Sequence, residues 1–329
     1  MDEQVTIGAG SSYPLDGILA LPEDLSTKIP AVVLVQGSGP QDKDETVEAN
    51  KPFRDIAEYL KTKGIATLRY DKRTLTYGKQ MTEAGLGDIT VEGETIEDAL
   101  AAHEILRADP RINPGSIYLL GHSLGGMLAP RIDAESSGFA GIIIMAGSPR
   151  TLAEIIIEQS EDVLSQLGKV LRKIGEKQVA SLRAKLDAIA TMSDEEARHT
   201  KAVGKSYAWY FKEMSDHPTA GYLDALTKPV LILQGEKDFQ VSPERDFQLY
   251  QQLCAGKENF QYKLYPGLNH LFMKAIYPSV KDFKKEYEVA QHVDPQVLSD
   301  LADWILGRNL SDLAGNIQFF EDYDYKAMR

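Results

Sequence analysis

The chain of 329 residues holds a single cysteine, Cys254. One cysteine excludes an internal disulfide and a multi-cysteine metal site. Cys254 sits late in a helical stretch and is expected to be a small buried residue. Positive charge is short as well: 36 Lys and Arg stand against 49 Asp and Glu, a formal net charge of −13. Nucleic acid and anionic membranes both select basic surfaces, so neither is an expected partner. Long apolar runs are missing. Segments such as 31–35 and 141–146 fall far below the roughly 18 residues that argue for a membrane span. The start, Met1-Asp2-Glu3-Gln4, lacks the basic stretch and apolar core of a secretory signal. The expectation is a cytoplasmic protein without membrane insertion, and a chain with a trimmed signal would read the same. Low-complexity tracts and repeats of 20–50 residues are absent too.

What is present is an alternation. Segments 5–7, 15–20, 31–35, 65–70, 116–120, 141–146, 229–235 and 260–265 read as strands, several of them short, β-branched and uniformly apolar. That is the pattern of strands covered on both faces. Between them, 52–63, 91–108, 127–134, 243–253 and 295–306 carry helical spacing, the last opened by Asp294 and Pro295. The alternation predicts an α/β fold with a mostly parallel central sheet and helices on both faces. The rhythm stops between 151 and 225, where 152–167, 170–191 and 195–214 are rich in good helix formers. This predicts a discontinuous core, 1–150 and 226–310, with a helical cap over 151–225 and a tail, 311–329, without clear period.

Gly121-x-Ser123-x-Gly125 follows the strand 116–120 and precedes a helix. Small residues on both sides of a serine, at a sharp strand-to-helix turn, are the signature of a nucleophile elbow. A serine needs a base, and the base needs an orienting acid. On such an elbow the chain order is serine, acid, histidine, which filters the six histidines. His103 and His122 come too early, and His199 and His217 lie in the insertion. His270, just after strand 260–265, is preferred to His292, which reads as a surface residue. For the acid, Asp238 is preferred to Glu236, which reads as a solvated neighbour of Lys237; an Asx-turn role is the alternative for Asp238. Acyl transfer also needs two N–H donors for the developing oxyanion. These are expected from Leu124 and from Ser38, with Gly37 the alternative to Ser38.

Tyr207, Trp209, Tyr210, Phe211 and Met214 form an aromatic stretch in the insertion. Packing of cap on core is one reading. The other makes Trp209, Tyr210 and Tyr207 a substrate-binding wall over Ser123. Asp42, Asp44 and Glu45 have no nearby His or Cys, so they read as a solvated acidic loop; no metal and no cofactor are expected.

Five segments together resemble the α/β-hydrolase superfamily: Gln36-Gly37-Ser38-Gly39-Pro40-Gln41-Asp42, Leu68-Arg69-Tyr70-Asp71-Lys72-Arg73, 121–126, 231–238 and Gly267-Leu268-Asn269-His270. More narrowly they resemble bacterial esterases grouped with dienelactone-hydrolase-like and bile-acid acyltransferase-like hydrolases, a group that includes cinnamoyl and feruloyl esterases. The resemblance implies Ser123 as nucleophile, Asp238 as acid and His270 as base. It departs at Gln36, where the group usually has His, and at 74–78, which replaces a Gly-rich turn and is expected to form a loop by the pocket. The expected activity is hydrolysis of a small acyl or aryl ester by a Ser-His-Asp triad. A peptidase, amidase or thioesterase shares that chemistry, and a non-catalytic binder shares the fold. The oligomeric state stays open, a homodimer included.

Overall fold

The short apolar runs assemble into one sheet of eight strands: β1 (Asp2–Ile7), β2 (Leu15–Ala20), β3 (Ile29–Val35), β4 (Ala66–Tyr70), β5 (Ile112–His122), β6 (Gly141–Met145), β7 (Val230–Gly235) and β8 (Phe260–Tyr265). The computed structural model describes residues 1–85, 89–136, 138–204 and 206–308. The sheet order is β1-β2-β4-β3-β5-β6-β7-β8. β1 and β2 form an antiparallel hairpin, β2 runs antiparallel to β4, and β3 to β8 are parallel.

Consecutive residues of the central strands serve two cores. Val33, Val35, Ile142, Ile144, Val230 and Ile232 join one, packed by α3 (Glu97–Ala108), α4 (Leu124–Ser136) and α10 (Gln248–Leu253). Val32, Leu34, Ile143, Met145, Leu231 and Leu233 join the other, packed by α1 (Pro52–Thr62), α11 (Phe283–Glu288) and α12 (Pro295–Ile305). Cover on both faces is why these strands read as unbroken apolar runs. The α1 spacing resolves into a buried stripe of Phe53, Ile56, Ala57 and Leu60. Asp294 caps α12 by accepting the Gln296 N–H. Cys254 is buried in the first core.

The helices differ from expectation in three places. The stretch 91–108 begins with one wide turn, Glu92–Ile96, in which the Glu97 N–H reaches Glu92 O. Residues 74–78 are not a loop: they lie in α2 (Arg73–Gly85), whose first turn starts with Leu75 and Thr76 N–H bonds to Lys72 O. The stretch 195–214 is two helices, α7 (Asp194–His199) and α8 (Ala208–Asp216). A Ser193–Glu196 capping box starts α7, Thr200 turns extended, and Gly204 at φ +56° reverses the chain before Tyr207 caps α8.

Between β6 and β7 the chain forms α5 (Leu152–Ser165), α6 (Lys169–Ile189), α7, α8 and α9 (Thr219–Ala225). The first four share a small core of their own, with Ile157, Leu186, Ile189, Ala197, Ala208 and Phe211 buried. α9 instead packs on α4: Thr219 Oγ1 donates to Met127 O at 3.0 Å, and Leu223 joins the first sheet core. The tail 311–329, with residues 309 and 310, lies outside the described residues. Among the described residues, no helix is long and apolar enough to cross a membrane, and no group of three His, Cys, Asp or Glu is placed to hold a metal.

Candidate active site

Parallel strands deliver the loops that follow them to one edge of the sheet. The loops after β3, β5, β7 and β8 carry Ser38, Ser123, Asp238 and His270. β5 ends at His122 and α4 begins at Leu124, so Ser123 takes the whole reversal, at φ 53°. A left-handed serine costs about 1–3 kcal/mol, and the surroundings hold it there. Ser123 N–H donates to Met145 O at 2.9 Å, and Ser123 O accepts the Met127 N–H at 3.0 Å. The flanking glycines are steric requirements. A Cβ on Gly121 would meet Gly125 O at 2.1 Å, and one on Gly125 would meet Val35 O at 2.2 Å.

His270 Nδ1 lies 2.7 Å from Asp238 Oδ2. The Asp238 carboxylate is fully buried and accepts three more bonds: Gln234 Nε2 at 2.8 Å on Oδ2, and the Gln240 and Val241 N–H groups at 2.8 and 3.0 Å on Oδ1. Fixed donors on the far oxygen leave the near one aimed at the imidazole. The two rejected candidates sit elsewhere. Glu236 accepts the Gly267 N–H and lies 3.6 Å from Lys237. His292 is exposed on Asp55.

Ser123 and His270 line one cavity of about 1200 Å³. Among the described residues Ser123 Oγ has no hydrogen-bond partner; catalytic hydrogen bonds are often loose before substrate binds. The loop after β3 lies against the serine, since a Cβ on Gly37 would sit 3.1 Å from Ser123 Cβ. Its Gly37 N–H is taken by Glu45 Oε1 at 2.7 Å, which removes Gly37 as the alternative oxyanion donor. The Ser38 and Leu124 N–H groups have no acceptor among the described residues, and Leu124 opens α4, where an N–H has no partner a turn earlier. Gln36 is buried and its side-chain amide donates to Tyr70 O, so it anchors the loop rather than facing the cavity.

The insertion supplies the opposite wall through Leu152, Ile155, Ile156, Tyr207, Tyr210 and Phe211. Trp209 is not part of that wall. It packs in the insertion's own core, with the Arg198 guanidinium 4.2 Å from its ring centroid. Tyr210 and Phe211 both face the cavity, and Trp209 lies two positions, about 200°, from Phe211 on α8, so it falls on the other side of the helix.

Three ionisable residues of the site were not identified in the sequence. Glu45, read there as part of a solvated acidic loop, is buried at φ 52°. Its Oε1 takes both the Gly37 N–H and His122 Nδ1, the latter at 2.9 Å. His122 Nε2 lies 2.9 Å from His270 O. Both partners of His122 are acceptors, so an imidazolium satisfies both at once. Burial pushes the His122 pKa down, but the charge and hydrogen bond of Glu45, with the His270 carbonyl and Asp238, outweigh it and hold the pKa above its ordinary value. Lys72 is the third: its Nζ donates to Gly37 O at 2.9 Å and lies 3.5 Å from Glu94 Oε1. Position 45 in an acidic run gives no hint of pairing with a histidine far along the chain. Only the placement of His122 inside the elbow motif marked it.

Residues 46–274 match the family described as serine aminopeptidase, S33. Esterase EstD of Thermotoga maritima is 36% identical over 292 residues, covering 89% of this chain, and this chain spans only 65% of that relative's length. Two solved structures share the fold. Est1E from Butyrivibrio proteoclasticus superposes with a TM-score of 0.56 at 17% identity, covering 92% of this chain and 98% of the other. Dienelactone hydrolase from Anabaena variabilis gives 0.52 at 15% identity, covering 94% and 98%. With its serine on a strand–turn–helix elbow in a mostly parallel eight-stranded sheet, the chain belongs to the serine aminopeptidase S33 family of α/β hydrolases.

Proposed function

We propose that the protein is a serine hydrolase that cleaves a carboxylic ester through an acyl-enzyme. The observation that carries this reading is the strained Ser123 in one cavity with a buried His270–Asp238 pair. The similarity to an esterase at 36% identity supports it. Ser123 Oγ attacks the ester carbonyl while its proton passes to His270 Nε2. Asp238, bonded to the Nδ1–H, holds the tautomer that leaves Nε2 free to accept. The carbonyl oxygen becomes an oxyanion facing Ser38 and Leu124 N–H. Collapse breaks the bond to the alcohol, which takes the proton from His270. Water, deprotonated by the same nitrogen, then releases the acid.

Residues 151–225 act as a cap. Its apolar side chains, with Tyr207 and Tyr210, receive an acyl or aryl group. The cavity volume lies above the roughly 300–1,000 Å³ usual for small-molecule sites, which leaves room for both halves of an ester. A fluorophosphonate probe followed by peptide mass mapping tests the nucleophile, and modification at Ser123 is the expected result. A panel of p-nitrophenyl esters of increasing chain length, methyl ferulate and aminoacyl anilides tests the substrate class. Turnover of the anilides alone would replace the esterase reading with a peptidase one; an unlabelled Ser123 would remove both.

A further inference from the structure

Lys72 is 1% exposed, yet it lies on no surface a substrate needs for binding: it is not among the residues that line the cavity. Burying an ammonium costs several kcal/mol unless its partners are well placed. Its Nζ has two such partners, Gly37 O at 2.9 Å and Glu94 Oε1 at 3.5 Å. Across the same residue, Glu45 Oε1 accepts the Gly37 N–H at 2.7 Å, with the Glu45 side chain 2% exposed. Gly37 is therefore gripped on its N–H by a carboxylate and on its C=O by an ammonium. The Gly37 carbonyl and the Ser38 N–H belong to one peptide group. A cation on the carbonyl oxygen draws electron density toward itself, fixes the peptide plane, and makes the N–H at the other end a stronger donor.

We propose that Lys72 is a positioning residue for the oxyanion hole, orienting and polarising the Gly37–Ser38 peptide so that Ser38 N–H is aimed at the developing charge. The proposal rests on the hydrolase reading above. The clamp also reaches the cap. Tyr210 OH donates to Glu94 Oε1 at 2.7 Å, and Tyr210 lines the cavity. A substrate group against Tyr210 thus touches a chain of contacts, Tyr210–Glu94–Lys72–Gly37, that ends at the donor peptide.

The test compares the wild type with Lys72→Met and with the double variant Lys72→Met/Glu94→Gln, which also neutralises the carboxylate that Lys72 faces and remains informative if the single variant does not fold. Three quantities are measured on each folded protein: kcat and KM for a p-nitrophenyl ester that the wild type hydrolyses, and the inhibition constant of a trifluoromethyl ketone, which adds to the serine as a tetrahedral oxyanion. Loss of an oxyanion donor outright lowers kcat by about 10²–10³-fold. Weakening one through its carbonyl is expected to lower kcat by about 10–100-fold, with KM within about threefold and the ketone constant raised in parallel with the fall in kcat/KM. A purely structural role would lower the melting temperature without that parallel loss. Folded variants that keep kcat and the ketone constant within about threefold of wild type overturn the clamp, as does an unchanged kcat with a raised KM. If the wild type itself is not labelled by a fluorophosphonate at Ser123, the hydrolase reading fails first and the clamp falls with it.

Discussion

Asp238→Asn isolates the part played by one proton. The carboxylate accepts four hydrogen bonds, two on each oxygen. The pair on Oδ1 comes from the backbone N–H groups of Gln240 and Val241, which only an oxygen can accept. The asparagine oxygen therefore occupies that place, and its NH₂ falls where Oδ2 was, facing Gln234 Nε2 and His270 Nδ1. His270 must then offer a lone pair at Nδ1, which moves its proton to Nε2 and leaves Ser123 without a base. Loss of the correct tautomer in a triad is worth about 10⁴-fold in kcat, which at about 1.36 kcal/mol per decade is roughly 5.5 kcal/mol of barrier. Stability suffers less, because the mismatch with Gln234 leaves one buried donor unmet, a cost of about 1–3 kcal/mol. The assay is kcat on a p-nitrophenyl ester beside the urea midpoint, with ¹⁵N NMR of the His270 ring to read its tautomer. A folded variant within tenfold of wild-type kcat would refute the orientation argument. So would a ring that still carries its proton on Nδ1.

Three other outcomes follow from the same geometry. His270→Ala is expected to abolish ester turnover and His292→Ala to leave it near wild type, since His292 is exposed on Asp55; turnover lost only in the second would reverse the assignment. Tyr210→Ala is expected to change the ranking of esters in the panel. Trp209→Ala should instead cost up to about 3–5 kcal/mol with the ranking unchanged, and a shifted ranking without a fall in melting temperature would return Trp209 to the pocket. His122 adds a pH dependence. Its native pKa lies above the ordinary value, so between the two the native state holds more protons than the unfolded chain, and this contribution fades as pH rises through the native pKa. The urea-midpoint difference between wild type and His122→Gln should shrink from pH 6 to pH 9; a constant or growing difference would show that His122 is not charged in the fold.

What the sequence revealed about the site was local. The Gly-x-Ser-x-Gly turn needs only its own neighbours, and the distances of 2.1 and 2.2 Å at Gly121 and Gly125 show why no other residue serves there. His270 was selected by chain order, and it lies beside Asp238 in the cavity that Ser123 lines because parallel strands send every following loop to one edge. The charged supports were not legible. Glu45 meets His122, and Lys72 meets Gly37, only through the fold, and an isolated Glu or Lys reads by default as solvated. Of the aromatic stretch, Tyr207 and Tyr210 line the cavity and Trp209 does not. Helical spacing already separates Trp209 from the face that Tyr210 and Phe211 share, and it packs in the insertion's own core instead. The helical state of 74–78 was hidden by analogy with a glycine-rich turn, which Thr74, Leu75 and Thr76 do not supply.

The two ends of the insertion come together. Gly147, where the chain departs after β6, lies against Gly126: a Cβ on Gly126 would come within 3.2 Å of the Gly147 Cα. Thr219, where the chain returns, bonds to Met127 O. Pro149, Arg150, Thr151, His217 and Pro218 line one small cleft. Departure and return therefore share a doorstep at the first turn of α4. A replacement segment would have to close over the same short span and restore the contacts that tie this one to the core: Gln159 Nε2 to Gln240 O at 2.8 Å beside the Asp238 loop, Glu213 to Arg131 of α4, and Tyr210 to Glu94. On the proposed reading, a change in this segment is felt at the acid loop and at the Gly37–Ser38 peptide as well as at the cavity wall. A chimera carrying a foreign segment across that doorstep is therefore expected, on the proposed reading, to change its rate along with its choice of ester.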